Sequence, residues 1–274
     1  MSRRFVYYGA GRSADVLLFD LYPAEAGFYL HKLRTAYNGN CIRVRRSSDN
    51  AETDIGFDGV DLDTSSLMNF VGNGSGYVVR FYNQGNLPFS FDLIQNTLSQ
   101  QYSIVENGVL NTINGKPFLN TLNRSNMDTT NRIDDVETVF WTAKIDVLTQ
   151  VNYIFYSTSG NIGGGFQGGT FGSVDGIGAF DNTSVNSIAS ENLNQQMAYL
   201  NIRNGNLYAS LNDGSEQNTG SFGINSFSAN QVFGRQFSNI YFRGKVTGII
   251  FYQSDQSSNR LAINNIINNY YGIY

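Results

Sequence analysis

The sequence predicts an all-β fold closed at its C-terminus by a helix, and three observations carry that expectation. Among 274 residues there are 20 Phe and 17 Tyr beside 34 Asn and 29 Gly. Aromatics favour strands, whereas Asn and Gly favour tight turns and tolerate positive φ, so the pairing means many short strands. Several runs alternate apolar and polar residues, as in Cys41-Ile42-Arg43-Val44-Arg45, which is the period of a strand with one buried face. Near the end the period becomes three and four, at Ile263, Ile266, Ile267 and Tyr270.

Composition also excludes. Charged residues make up 15% of the chain and the formal net charge is -4. Neutral polar groups therefore supply most of the surface, and a strongly cationic nucleic-acid binder is ruled out. One cysteine, Cys41, excludes an internal disulfide framework and a cysteine-rich zinc site. One histidine, His31, excludes every site that needs two imidazoles. A Ser-His-Asp triad would have to pass through His31, and no Gly-x-Ser-x-Gly elbow is present. No cofactor and no metal is expected. No run approaches the ~18 apolar residues of a membrane span, and Met1 to Val6 lacks a signal-peptide core. The expectation is a soluble chain without a classical export signal.

The elements follow in order. Val16-Leu17-Leu18-Phe19 reads as a strand. Pro23 suits a first helical turn, and Ala26, Leu30, Leu33 and Tyr37 have helical spacing up to a stop at Gly39, so a helix carrying His31 is expected there. Ile42 to Arg45 and Asp54 to Phe57 read as strands around a turn at Asp49-Asn50. Asp63 can N-cap a short helix from Thr64 to Val71, with Gly72 as its stop. Tyr77 to Tyr82, the run from Val139 to Ile145, and Asn152 to Tyr156 are strands. Residues 160–178 are glycine-rich and read either as a flexible loop or as a strand pair; no Gly-Lys-Ser/Thr follows, so they are not a phosphate loop. Asn204-Gly205-Asn206 turns a hairpin between Tyr199–Arg203 and Leu207–Leu211. Arg243-Gly244-Lys245 reads as the turn of a second hairpin, Ile240–Phe242 with Val246–Tyr252, before the closing helix at 257–270, whose Ile263, Ile266 and Ile267 should dock on the sheet.

Two stretches carry a resemblance. The first is Leu17-Leu18-Phe19-Asp20-Leu21-Tyr22 through Ala36-Tyr37-Asn38-Gly39, then Ile42-Arg43-Val44-Arg45-Arg46-Ser47-Ser48-Asp49-Asn50-Ala51-Glu52-Thr53-Asp54-Ile55-Gly56-Phe57, Leu62-Asp63 and Phe70-Val71-Gly72. It resembles the N-terminal part of the catalytic domain of arabinofuranosidase B-type glycosidases and, more closely, bacteriophage tail-fibre and other virion proteins. The second, Phe242-Arg243-Gly244-Lys245 to Tyr271, is similar to the closing strands and helix of laminin-G-like, concanavalin A-like domains. The resemblance implies a concanavalin A-like jelly-roll sandwich with two short N-terminal helices and a C-terminal helix. One domain would span 17–274, with residues 1–16 as an arm or first strand. The related enzymes carry a Trp-Tyr-Asp-Gln-like element where this chain has Phe81-Tyr82-Asn83-Gln84, and an amide cannot serve as their carboxylate. Asp175, Asp181 and Glu191 remain unassigned acids.

On that basis the expected protein is a non-enzymatic phage virion component (fibre, spike or surface protein) with no catalytic residues. A lectin-like carbohydrate binder is the alternative, and an arabinofuranosidase-like glycosidase the third reading. Expected partners are other virion proteins, a host surface glycan and further copies of the chain, a trimer being plausible; nucleic acid and membrane insertion are not expected. Arg43, Arg45, Arg46, Asp49, Glu52 and Asp54 form a charged cluster. Its first reading is a structural ion-pair network in which Arg46 turns inward at the strand end, because Arg forks match carboxylates. Arg45 and Arg46 are also candidate anion- or sugar-binding residues. Tyr153 and Tyr156 are candidates for stacking a sugar, with Tyr208 as a further strand tyrosine, while Trp141 alternates with core residues. The Asp58, Asp61 and Asp63 cluster is a poor calcium loop because Asp63 is needed as a cap.

Overall fold

The computed structural model describes residues 16–88, 91–122, 124, 126–146, 152–167, 176–181, 185–189, 195–235 and 242–274. Apart from Val16, the expected arm or first strand over 1–16 lies outside the described residues. The strands pair antiparallel into two facing layers of a jelly-roll sandwich. The front layer runs, neighbour to neighbour, Glu52–Ile55, Ile42–Arg46, Gly76–Phe81, Leu93–Ile94, Met127–Val136, Phe227–Val232, Asn152–Ser157, Ile162–Gln167, Gly176–Phe180, Val185–Ala189. The back layer runs Ala26–Tyr29, Gly244–Tyr252, Thr138–Ile145, Gln196–Arg203, Asn206–Leu211, Gln217–Ser221. Gly76–Phe81 also pairs with Tyr102–Glu106, which connects through Leu119–Asn120 to Gly244–Tyr252, so the layers are one sheet folded over.

Between the layers aromatic side chains interlock. Phe155 meets Phe251 edge-on at 6.0 Å and Trp141 meets Phe166 at 6.2 Å; all four are buried. Alternation along Thr138–Ile145 sends Val139, Trp141, Ala143 and Ile145 into this core. It sends Phe140 outward, where it joins Tyr199, Ile250 and Tyr252 beneath helix α3, Arg260–Tyr271. Ile263 and Ile267 are wholly buried in that second cluster and Ile266 packs at its edge.

Several expectations are corrected. Leu18–Leu21 is not strand but one helical turn, α1, because Asp20 accepts the Leu17 N–H at 2.8 Å and Leu18 and Phe19 are buried in the cluster under α3. The expected helix over 23–37 is replaced by the strand Ala26–Tyr29. Its four residues are all buried, and pairing with Gly248–Phe251 overrides a helical spacing that was coincidental. Gly248 permits that pairing: a Cβ there would lie 2.3 Å from the Tyr29 ring. Residues 243–245 are not a turn, since Gly244 and Lys245 already pair with Ile145 and Lys144. The glycine-rich stretch is a strand pair, Ile162–Gln167 with Gly176–Phe180. Elsewhere the local readings hold: Asp63 caps α2, Thr64–Val71, through the Ser66 N–H at 2.8 Å, and Asn204 and Gly205 turn their hairpin with φ of 52° and 70°.

The Asn83-Gln84 pair is a buried fastener. Asn83 Oδ1 accepts the Gly27 and Gly85 N–H groups, each at 2.9 Å, and its amide donates to Leu87 O. Gln84 accepts the Leu33 N–H and donates to Tyr29 O and His31 O. Asp92 Oδ1 then accepts the Asn83 N–H at 2.8 Å. Burial pushes the Asp92 carboxyl up to about 6 against the lowering pull of that bond and of Arg80. The folded protein therefore keeps a proton that the unfolded chain, with its ordinary value of 3.8, releases first. This contribution to stability is complete below the unfolded value and is lost as pH rises through about 6. Urea titrations at pH 4.5 and 7.5 should show wild type losing stability relative to Asp92→Asn as pH rises; parallel pH profiles for the two proteins would refute it.

Candidate functional site

Residues opposite one another in an antiparallel pair project to the same face, and one such row crosses most of the front layer. It reads Asp54, Arg43, Arg80, Ile94, Asp128, Gln231, Tyr156, Gly163, Phe180, Val185. The row beside it, Met127, Val232 and Phe155, faces the core. The polar row therefore lines the outer face of the front layer.

An aromatic shelf occupies this face. Tyr153, Tyr156 and Phe180 form a cluster separate from both cores. Tyr153 and Tyr156 are three residues apart, an odd spacing that would put them on opposite faces. A bulge between Tyr153 and Phe155 takes up the extra residue and brings both outward. Tyr153 lies 5.6 Å from Tyr156 and 5.3 Å from Phe180, and the Tyr156 and Phe180 rings face each other at 6.3 Å and 13° across Gly163. Gly163 is what allows this, because a Cβ there would meet a Phe180 ring carbon at 2.8 Å. Arg235 lies over the Tyr156 ring at 4.3 Å and over Tyr153 at 5.5 Å. Tyr156 donates its hydroxyl hydrogen to Asn161 Oδ1 at 2.7 Å.

The tyrosines are only 4% exposed each, so they form the floor, while Phe180, Arg235 and Asn161 are half-buried and form the accessible rim. On the other side of Tyr156, Gln231 donates to Asp128 Oδ1 at 3.1 Å and the Asn126 amide donates to the same oxygen. Burial nevertheless raises the Asp128 carboxyl above its ordinary value. Asp181 follows Phe180 at the strand end, buried, with Oδ2 accepting the Gly223 N–H at 3.0 Å. The face thus offers a flat cation on an aromatic floor, a half-buried ring and, two strands along, a carboxyl that burial raises. That is the equipment for packing against the C–H face of a sugar and bonding its hydroxyls.

The other sequence candidates lie elsewhere. Arg43 forks onto Asp54 at 2.8 Å, at the far end of the same row. The inward arginine is Arg45, not Arg46, which corrects the expectation. Arg45 is 6% exposed, donates to Gln101 Oε1 and Asn50 Oδ1 and lies over the Tyr77 ring. Its side of the strand, opposite Ile42 and Val44, is covered by neighbouring side chains, not by water. Arg46 stays at the surface, forked onto Asp49 and over the Phe70 ring; it holds the Asp49 carboxyl well below the usual range, helped by the Ala51 N–H. Glu52 is exposed and joins no ion pair among the described residues.

Trp141 is core. Tyr208 lies on the back layer under Arg203. His31 is buried against Tyr270 and Tyr271, and burial pushes its imidazole down to about 3, so it stays neutral. Asp61 is taken by Lys116 and Tyr270. Asp175 and Glu191 lie outside the described residues. Sequence reasoning named two members of the shelf and missed Phe180, Arg235, Asn161, Asp128 and Gln231, which come from separate strands and loops and share no local motif.

No family model matches the chain, and no curated protein matches it. Among solved structures it is similar to a GH54 α-L-arabinofuranosidase soaked with a cyclic sulfate inhibitor, with a TM-score of 0.64, 15% identity and 89% of this chain covered. It is also similar to an arabinofuranosidase complexed with arabinofuranosyl-α-1,2-xylobiose, with a TM-score of 0.61, 16% identity and 89% of this chain covered. The chain spans 62% of the length of each of these proteins. Likeness at such identities shows the fold, a β-sandwich shared with these glycoside hydrolases. It overturns the virion reading and the denial of enzymatic activity: the first rested on short sequence matches and the second on Asn83 standing where the related enzymes carry an acid, whereas the likeness to glycosidases extends over nine-tenths of the chain.

Proposed function

We propose that this chain is a carbohydrate-active protein that holds a glycan against the outer face of the front layer, over Phe180 and Arg235. The carrying observation is the aromatic cluster of Tyr153, Tyr156 and Phe180 set outside both cores and capped by a guanidinium. Arabinofuranosyl-decorated xylo-oligosaccharides are the first ligands to try, by isothermal titration, because a protein of this fold has been solved with one bound. Phe180→Ala and Arg235→Ala should each weaken binding about tenfold to a hundredfold, the range for a well-placed aromatic or Arg contact, with the circular dichroism spectrum unchanged. Wild-type protein that binds neither these nor a panel of other neutral oligosaccharides would sink the proposal.

Glycoside hydrolysis is a second reading, favoured by Asp128. Burial raises this carboxyl above its ordinary value, the direction a general acid requires, and it lies two strands from Tyr156 on the same face. The reaction needs a second carboxylate within about 10 Å across the sugar, and Asp181 does not supply it, because from Asp128 to Phe180 the row crosses four strand spacings, or roughly 19 Å. Release of nitrophenol from 4-nitrophenyl α-L-arabinofuranoside that disappears in Asp128→Asn would support this reading. Release that persists undiminished in Asp128→Asn would remove Asp128 from it.

A further inference from the structure

At the Arg80 end of the outer face, a cleft of about 380 Å³ opens between residues 34–40 and residues 82–88 with Asp92. From Arg80 to Tyr156 the row crosses four strand spacings, or roughly 19 Å, so this cleft is separate from the aromatic shelf. Its wall includes Arg34, Tyr37, Tyr82, Asn86 and Asp92. Most of the polar groups there are already used. The Tyr37 hydroxyl donates to Asn40 O at 2.9 Å, the Tyr82 hydroxyl to Asp54 Oδ1 at 2.7 Å, and the Asn83 side chain is consumed in the fastener described above.

Two groups are not used. Asp92 Oδ2 is buried and accepts no hydrogen bond; Arg80 Nη1, its closest cation, stands off at 3.5 Å. Arg34 Nε is likewise buried without an acceptor, and Arg34 Nη1 reaches Asn86 Oδ1 only at 3.4 Å. A buried orphan acceptor and a buried orphan donor in one cavity each carry a desolvation cost that a ligand can remove. The ligand has to donate to one and accept from the other, which a hydroxyl compound does. Charge selects further: Asp92 repels a phosphate, and Arg34 and Arg80 repel a divalent cation. The Tyr37 and Tyr82 rings supply apolar wall, and the volume lies at the lower end of small-molecule sites.

We propose that this cleft is a second carbohydrate subsite that takes a neutral saccharide unit, with Asp92 Oδ2 accepting from one of its hydroxyls and Arg34 Nε donating to another. It stands without the shelf, and the test separates the two. The probes are methyl α-L-arabinofuranoside, methyl β-D-xylopyranoside and inorganic phosphate, followed by saturation-transfer NMR titration of the full chain in wild-type and Phe180→Ala backgrounds. The expected result is millimolar binding of at least one glycoside that survives Phe180→Ala and weakens about tenfold in both Arg34→Gln and Asp92→Asn. Asn at 92 keeps an acceptor for the Asn83 N–H, and urea titration identifies any variant that fails to fold. If Asp92→Asn unfolds, Arg34→Gln alone decides. Glycoside binding that is abolished by Phe180→Ala, or unchanged in the cleft variants, overturns the proposal, as does binding of phosphate in place of the glycosides.

Discussion

Ile267→Ala is expected to lower the free energy of unfolding by about 2–5 kcal/mol, the range for truncating a wholly buried Ile, read from the midpoint of a urea titration at unchanged slope. Ile267 is 0% exposed and packs with Phe140, Tyr199, Ile250 and Tyr252 on the outer face of the back layer. That face also receives Leu18 and Phe19 of α1 and Tyr271 of α3. A methyl in place of the butyl group leaves a cavity among rings that cannot close it, because each ring is held by strand pairing. Ile263→Ala should behave alike, whereas Ile266→Ala, at the margin of the cluster, should cost clearly less. If Ile267→Ala and Ile266→Ala are equally mild, α3 is not docked as described.

Arg45→Ala should cost about 2–4 kcal/mol, while Arg46→Ala leaves stability without resolvable change. Arg45 is buried, and its removal strands the buried Gln101 Oε1 and opens a gap beside Tyr77, while the exposed Asn50 exchanges its bond for water. Each buried polar group left without its partner costs about 1–3 kcal/mol. Arg46 and Asp49 pair at the surface, with side chains 33% and 50% exposed, where solvent screening makes such pairs worth little. Thermal or urea unfolding of the two single mutants is sufficient. A larger loss in Arg46→Ala than in Arg45→Ala would mean that the strand is turned the other way. Arg45→Lys is a useful companion, since an ammonium cannot bond both amides in the fork geometry and should recover only part of the loss.

The same arginines show where sequence reasoning stops. Alternation correctly set Ile42 and Val44 against Arg43 and Arg45. It could not say that the second face is also covered, because the cover comes from Tyr77 and Gln101, about thirty and more than fifty residues away. Solvent exposure of a face depends on long-range neighbours, not on period.

Helical spacing at Ala26, Leu30 and Leu33 was misleading for a similar reason. A short apolar run fits either period, and only the Gly244–Tyr252 strand beside it decided for strand. Conversely, the features whose cause is local were legible: the Asn204-Gly205 turn, the Asp63 cap, the closing helix and the β-rich class. They follow from backbone φ, from a hydrogen bond over three residues, or from the apolar stripe of one helix.

The shelf was legible only in part. Tyr153 and Tyr156 stand out as strand aromatics, but their spacing by itself puts them on opposite faces. The bulge that reunites them, the glycine that lets Phe180 approach, and the arrival of Arg235 from a later loop exist only once five strands are in register. Sequence alone determined the β-rich class, the closing helix and the turns and caps whose cause is local. Tertiary structure decided which faces are buried and which residues share a site, because strands distant in sequence become neighbours only through sheet pairing.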